Sequence, residues 1–154
     1  MNNSLLIGIG NYARSDDALG WCFADHFSYL VDKIDIEYRY QLQIEDADLV
    51  SQYDTVYFAD ATCETYGHGF LFTPCQPAFN CSFTSHSLTP ETILQMAREL
   101  YACKCEGFVI GISGQRWELK EGISQKGYSN LKNATDFFSK YMERQNIETD
   151  EKEF

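Results

Sequence analysis

The chain reads as an α/β protein: a three-layer α/β/α sandwich around a mainly parallel sheet of five or six strands. Two observations predict this. Short apolar, β-rich runs alternate with segments of helical period along the whole chain, the pattern of strands covered by helices on both faces. And 154 residues, 44% hydrophobic and 15% aromatic, suffice for one core on each side of a sheet.

The elements follow in order. Ser4 to Ile9 is an unbroken apolar run and reads as a buried first strand. Ser15 or Asp16 is placed to cap the next helix, because a short polar acceptor satisfies free N–H groups. Leu19, Cys22, Phe23, Phe27 and Leu30 then recur at helical spacing, to about Val31. From Ile34 to Leu42 apolar and polar residues alternate, predicting a half-exposed edge strand. Glu45 to Tyr53 reads as a short helix carrying Leu49 and Val50. Thr55-Val56-Tyr57-Phe58-Ala59 reads as a central strand ending at Asp60.

A loop from Thr62 to Gly69 leads to a short strand, Phe70-Leu71-Phe72, stopped by Pro74 and Pro77. Ala78 to Phe83 reads as a further extended piece. Thr89 followed by Pro90 is a helix start, with Ile93, Leu94, Ala97, Leu100 and Tyr101 behind it. Phe108 to Ile112 is a buried strand, Ser113 to Gly122 a loop with Trp117. The last helix begins between Ser124 and Ser129 and sets Tyr128, Leu131, Thr135, Phe138 and Met142 on one face. Residues 1–146 are read as one domain, and 147–154 as an acidic, frayed tail.

Composition narrows the function. A formal net charge of −11 argues against nucleic-acid binding, which needs clustered Lys and Arg, and suits a partner with basic surface. The apolar runs are too short for a membrane span and the start lacks a signal-peptide core, so the expected location is the cytoplasm. The six cysteines include no Cys-x-x-Cys pair, and in that compartment they read as small hydrophobes rather than disulfides.

Ligands of open α/β sheets sit beyond the carboxyl ends of the strands. Gly8-Ile9-Gly10 stands there, but position 13 is Ala13 where a dinucleotide fingerprint carries its third glycine. Alanine occurs there in some variants, which keeps a weak nucleotide reading open. The acids Asp16 and Asp17 oppose it, because they would repel a pyrophosphate at the helix start. Of these two, Asp16 is the expected cap and Asp17 the expected ligand. Asp17 after strand one, Asp60 at the end of the central strand and His86 before a capped helix share one kind of position. Each alone has a structural reading: a solvated cap, a strand-end acid, a loop histidine. Together, two carboxylates and an imidazole are a donor set for a divalent borderline metal such as nickel or zinc. His68, in a glycine-flanked loop, is a weaker ligand candidate. No Gly-x-Ser-x-Gly elbow occurs.

The motifs Gly8-Ile9-Gly10-Asn11 with Asp16-Asp17 and Gly20, Phe58-Ala59-Asp60-Ala61, Ser85-His86-Ser87-Leu88-Thr89-Pro90, Gly111-Ile112 and Gly122-Ile123-Ser124 follow one another along nearly the whole chain. In that order they resemble the hydrogenase maturation proteases. Those endopeptidases remove a C-terminal peptide from the large subunit of nickel–iron hydrogenases after nickel insertion. The resemblance implies that Asp17, Asp60 and His86 are catalytic and meet nickel already held by the immature large subunit. The nickel then arrives with the substrate, and the free enzyme need not hold a metal. A metal-bound water and a carboxylate base both remain open as the hydrolytic agent. One segment departs from the family. Its Asp-Gly-Gly-Thr-like loop after strand two is replaced by Tyr40-Gln41-Leu42-Gln43-Ile44-Glu45-Asp46. Gln41 and Gln43 alternate onto one side and are candidates to offer amides to a peptide; a plain exposed strand face is the competing reading. A non-catalytic metal- or partner-binding module, and another hydrolase on a similar sheet, stay open as alternatives.

Overall fold

Strand β1 (Ser4–Ile9) has five buried residues of six, as its continuous apolar run requires. It lies second from one edge of a five-stranded sheet in a computed structural model that describes residues 3–30, 32–79 and 88–152. Strands β2 (Asp35–Arg39) and β3 (Thr55–Thr62) flank β1, both parallel to it. Strand β5 (Glu106–Ser113) runs parallel to β3, and β4 (Phe70–Cys75) closes the far edge antiparallel to β5. The order is β2-β1-β3-β5-β4, so four of five strands share one direction.

The side-chain alternation of the strands builds two cores. Leu5, Ile7, Ile9, Val56 and Phe58 face one way, against Val50 of α2 (Asp46–Ser51) and Ile93, Leu94 and Ala97 of α3 (Pro90–Tyr101). Leu6, Tyr57, Ala59, Ile110 and Ile112 face the other way. They meet Leu19, Phe23 and Ala24 of α1 (Leu19–His26) and Ala134, Phe138 and Met142 of α4 (Gln125–Lys152). These are the three expected layers, with α2 and α3 on one face and α1 and α4 on the other. Tyr57 and Phe138 rings meet edge-on at 5.0 Å in the second core.

The helix start at Thr89 and Pro90 is as expected: Thr89 Oγ1 accepts the Thr92 N–H at 3.2 Å, and Pro90 needs no partner for an N–H. Four segments depart from the sequence expectation. Strand β2 ends at Arg39 rather than Leu42, because its partner β1 ends opposite at Ile9 and the Gly10 N–H closes the register on the Arg39 carbonyl at 2.9 Å. Strand β4 runs through Pro74 to Cys75 instead of stopping before it; on an edge strand a missing N–H costs no ladder bond. Helix α1 ends at His26, five residues short of Val31, which lies outside the described residues. A 3-10 turn over Ser15–Ala18 precedes it. Helix α4 continues to Lys152, through most of the segment expected to fray. Of the extended piece expected over Ala78 to Phe83, Ala78 and Phe79 have no regular structure and the rest lies outside the described residues. Among the described residues no helix is long and apolar enough to cross a membrane.

Candidate active site

Three glycines bring the 3-10 turn and α1 down onto the carboxyl ends of β1 and β3. A Cβ on Gly20 would lie 2.2 Å from the Ile9 carbonyl oxygen and 2.5 Å from that of Ala59. A Cβ on Gly8 would meet the Gly20 oxygen at 2.8 Å, and one on Gly10 the Asp17 oxygen at 2.2 Å. No other residue permits these approaches. The glycines of the first motif therefore serve backbone packing rather than a phosphate. The loop then folds on itself: the Asn11 N–H donates to the Asp17 carbonyl at 3.2 Å, and Asn11 Oδ1 accepts from the Ala13 N–H at 2.9 Å.

Asp16 and Asp17 part company here. Asp16 is fully buried and caps nothing in its own helix. Its Oδ2 accepts from the Gln115 and Arg116 N–H groups at 2.6 and 3.1 Å and from Ser124 Oγ at 2.7 Å; its Oδ1 accepts from the Ser124 N–H at 2.7 Å. Ser124 Oγ in turn accepts the Gly127 N–H at 3.0 Å, which makes Ser124 the cap of α4. Burial alone would raise the Asp16 pKa, but these four donors outweigh it and hold the carboxyl below its ordinary value. Ser15 joins the latch. Its N–H donates to the Lys120 carbonyl at 2.8 Å, and its φ of 48° is held there by the loop. Asp16 is thus not the expected cap of the first helix; it anchors the loop after β5 and the Ser124 cap of α4, a role visible only once β5 and α4 are in place.

Asp17 points elsewhere. It is half-buried, and among the described residues no hydrogen bond fixes its carboxylate. Burial raises its pKa against the opposing charge of Arg14. Asp60 sits one strand over, where β3 passes the end of β1, with Oδ1 accepting the Ala61 N–H at 2.8 Å. Burial pushes the Asp60 carboxyl up to about 7; the Ala61 N–H opposes this and the charge of Asp17 adds to it. The charge of Asp17 thus reaches Asp60, as the smallest of the three influences on that carboxyl.

His86 lies outside the described residues, as does Cys81. Among the described residues no group of three His, Cys, Asp or Glu side chains is set to hold a metal ion. His68 is exposed in a turn, its carbonyl accepting from Asn133 Nδ2 at 3.0 Å, and His26 is exposed with its ring against Phe27. Gln41 and Gln43 are both exposed, but they lie past the end of β2, so no strand alternation unites them. The Gln43 N–H donates to Asp46 Oδ2 at 2.9 Å.

Two neighbouring surfaces were given no role from sequence. One is the loop after β5, where Arg116, Trp117 and Leu119 are exposed. The Trp117 ring lies against Gly114, whose N–H donates to the Thr62 carbonyl at the end of β3. The other is a surface cluster of Tyr12, Trp21, Tyr38 and Tyr40. Tyr38 and Tyr40, two apart in an edge strand, were the available signal for the second.

Against solved structures, the whole architecture recurs. The chain is similar to the NiFe hydrogenase maturation protease HycI from Thermococcus kodakarensis KOD1, with a TM-score of 0.69 and 19% identity over 92% of this chain and 91% of that one. The fold is that of the hydrogenase maturation proteases. The hydrogenase maturating endopeptidase HybD from E. coli gives 0.65 and 14% over 93% of each chain. A hydrogenase 2 maturation peptidase from Thaumarchaeota archaeon SCGC_AB-539-E09 gives 0.65 and 17% over 91% of this chain and 97% of that one. No protein-family model and no curated protein matches the sequence.

Proposed function

We propose that the chain is an endopeptidase that removes the C-terminal extension of a nickel-loaded hydrogenase large-subunit precursor in the cytoplasm. What supports this reading most is Asp60, a buried carboxyl raised to about 7 that feels the charge of Asp17, in a fold shared with the maturation proteases. The nickel belongs to the substrate. Asp17, Asp60 and His86 meet it as it arrives in the precursor, which makes the metal the recognition element. Ionised carboxylates are the form that ligates a cation, so nickel binding expels the proton that Asp60 holds. A metal so held polarises a nearby carbonyl or activates a water; the carboxylate not engaged by it accepts the water's proton. Gln41 and Gln43, exposed next to the end of β2, offer amides to the precursor's peptide.

The test uses the nickel-loaded precursor. Asp17→Ala, Asp60→Asn and His86→Ala each abolish its shortening if the reading holds. Cleavage at the wild-type rate by all three variants overturns it. The replaced loop at Gln41 to Glu45 favours one rival, a binding module without activity. Under that rival the wild-type protein binds the precursor and never shortens it.

A further inference from the structure

Four aromatic rings crowd the surface beside the first loop. Tyr12 and Trp21 meet edge-on with centroids 4.8 Å apart, Trp21 and Tyr40 lie tilted at 5.0 Å, and Trp21 and Tyr38 meet edge-on at 5.8 Å. Tyr12, Tyr38 and Tyr40 are exposed, Tyr40 to 71%. The cluster is fastened at its polar ends. The Tyr12 and Tyr38 hydroxyls both donate to the Asp25 carboxylate, and Trp21 Nε1 donates to the Arg39 carbonyl at 2.9 Å. That carbonyl also accepts the Gly10 N–H, so the rings hang from the loop that leads to Asp17. Single exposed aromatics are ordinary on a protein surface. Three tyrosines gathered on one tryptophan, with Tyr12, Trp21 and Tyr38 held by hydrogen bonds, are the kind of rigid surface that anchors a partner.

Charge selects the partner. The chain carries a formal net charge of −11, and a carboxylate, Asp25, sits among the rings. Arg39, the cation at the end of β2, is already paired with Glu37 at 3.2 Å and Asp46 at 3.0 Å. Electron-rich ring faces over an acid attract a guanidinium or ammonium group, and the aliphatic stem of Arg or Lys lies flat on an aromatic face. An acidic peptide would meet repulsion at the same place.

We propose that the platform of Tyr12, Trp21, Tyr38 and Tyr40 is the docking surface for an arginine- or lysine-bearing segment of the polypeptide this chain processes. The identity of that polypeptide rests on the endopeptidase reading; the recognition of a cationic segment does not. The platform adjoins the loop that leads to Asp17, through the Arg39 carbonyl that Gly10 and Trp21 share.

The test uses the full chain carrying Trp117→Phe, which leaves Trp21 as the sole tryptophan reporter. It is titrated with a synthetic peptide of Gly-Ser-Arg repeats, with the same peptide bearing citrulline for arginine, and with a Gly-Ser-Glu peptide. The Arg peptide shifts Trp21 emission saturably; the citrulline peptide binds about fivefold more weakly, and Tyr40→Ala weakens the Arg peptide by about the same factor. Circular dichroism checks that Tyr40→Ala stays folded. No emission change, equal binding of the citrulline or Glu peptide, or an unaltered Tyr40→Ala titration overturns the proposal. With the nickel-loaded precursor, Tyr40→Ala raises KM and leaves kcat in place; a fall in kcat at constant KM also overturns it. If the wild-type chain never shortens the precursor, the endopeptidase reading fails, and the peptide titration decides the platform independently.

Discussion

Two neighbouring aspartates do different work because their backbones face them in different directions. Asp16 spends its charge on four donors, whereas among the described residues nothing donates to the Asp17 carboxylate. Asp16→Ala leaves those donors buried and unpaired, and should lower unfolding free energy by about 2–4 kcal/mol in urea titrations at pH 7. Asp16→Asn retains one acceptor and should cost less. Asp60 acts oppositely with pH. Its folded pKa, about 7, exceeds the ordinary value of 3.8, so between those values the folded chain holds a proton that the unfolded chain has released. Stability from this group is therefore full below pH 4 and is lost as pH rises through 7. Asp60→Asn should flatten that slope and, at pH 8, raise stability by roughly 1–3 kcal/mol. The proposed cleavage has the reverse trend: its rate should climb as pH passes about 7, because ionised Asp60 is the form that meets nickel. Identical stability slopes for wild type and Asp60→Asn would remove the basis for both expectations.

At the level of elements, the strands and their order of appearance were legible because apolar runs and turn residues carry local information. The start of α3 was legible for the same reason: Thr89 and Pro90 act on the very next turn. Two of the misses were decided by partners distant in sequence. Where β2 stops depends on where β1 stops, and Pro74 is admitted to β4 because that strand lies at the edge. That Asp16 and Asp17 would differ in role was readable in advance. That Asp16 would hold Ser124 rather than cap its own helix was not, since Ser124 lies 108 residues away. Gly20 tests the close packing of α1 on the strand ends. Gly20→Ala should cost about 2–3 kcal/mol, because the new methyl meets two carbonyl oxygens inside 2.6 Å and must lift α1 off the sheet. A melting temperature equal to wild type would show that the helix tolerates the shift.

For the whole molecule the dominant quantity is its charge. A chain at −11 with Lys and Arg far outnumbered attracts a basic partner over long range. Its association with the precursor should slow by about tenfold or more between 20 and 300 mM salt, as the screening length shrinks below the size of the interface. An association rate independent of salt would separate the charge of the chain from partner capture. The latch at Asp16 bears on time as well as on shape. Its side-chain bonds span 99 to 108 residues, joining the first helical turn to the loop before the last helix. During synthesis the N-terminal strands can pair early, but the segment bearing Asp16 lacks this latch until residues 115 to 124 have emerged. A nascent chain therefore completes its sheet before it fastens its first helical turn, and a truncation ahead of Ser124 should yield a core with that turn unlatched.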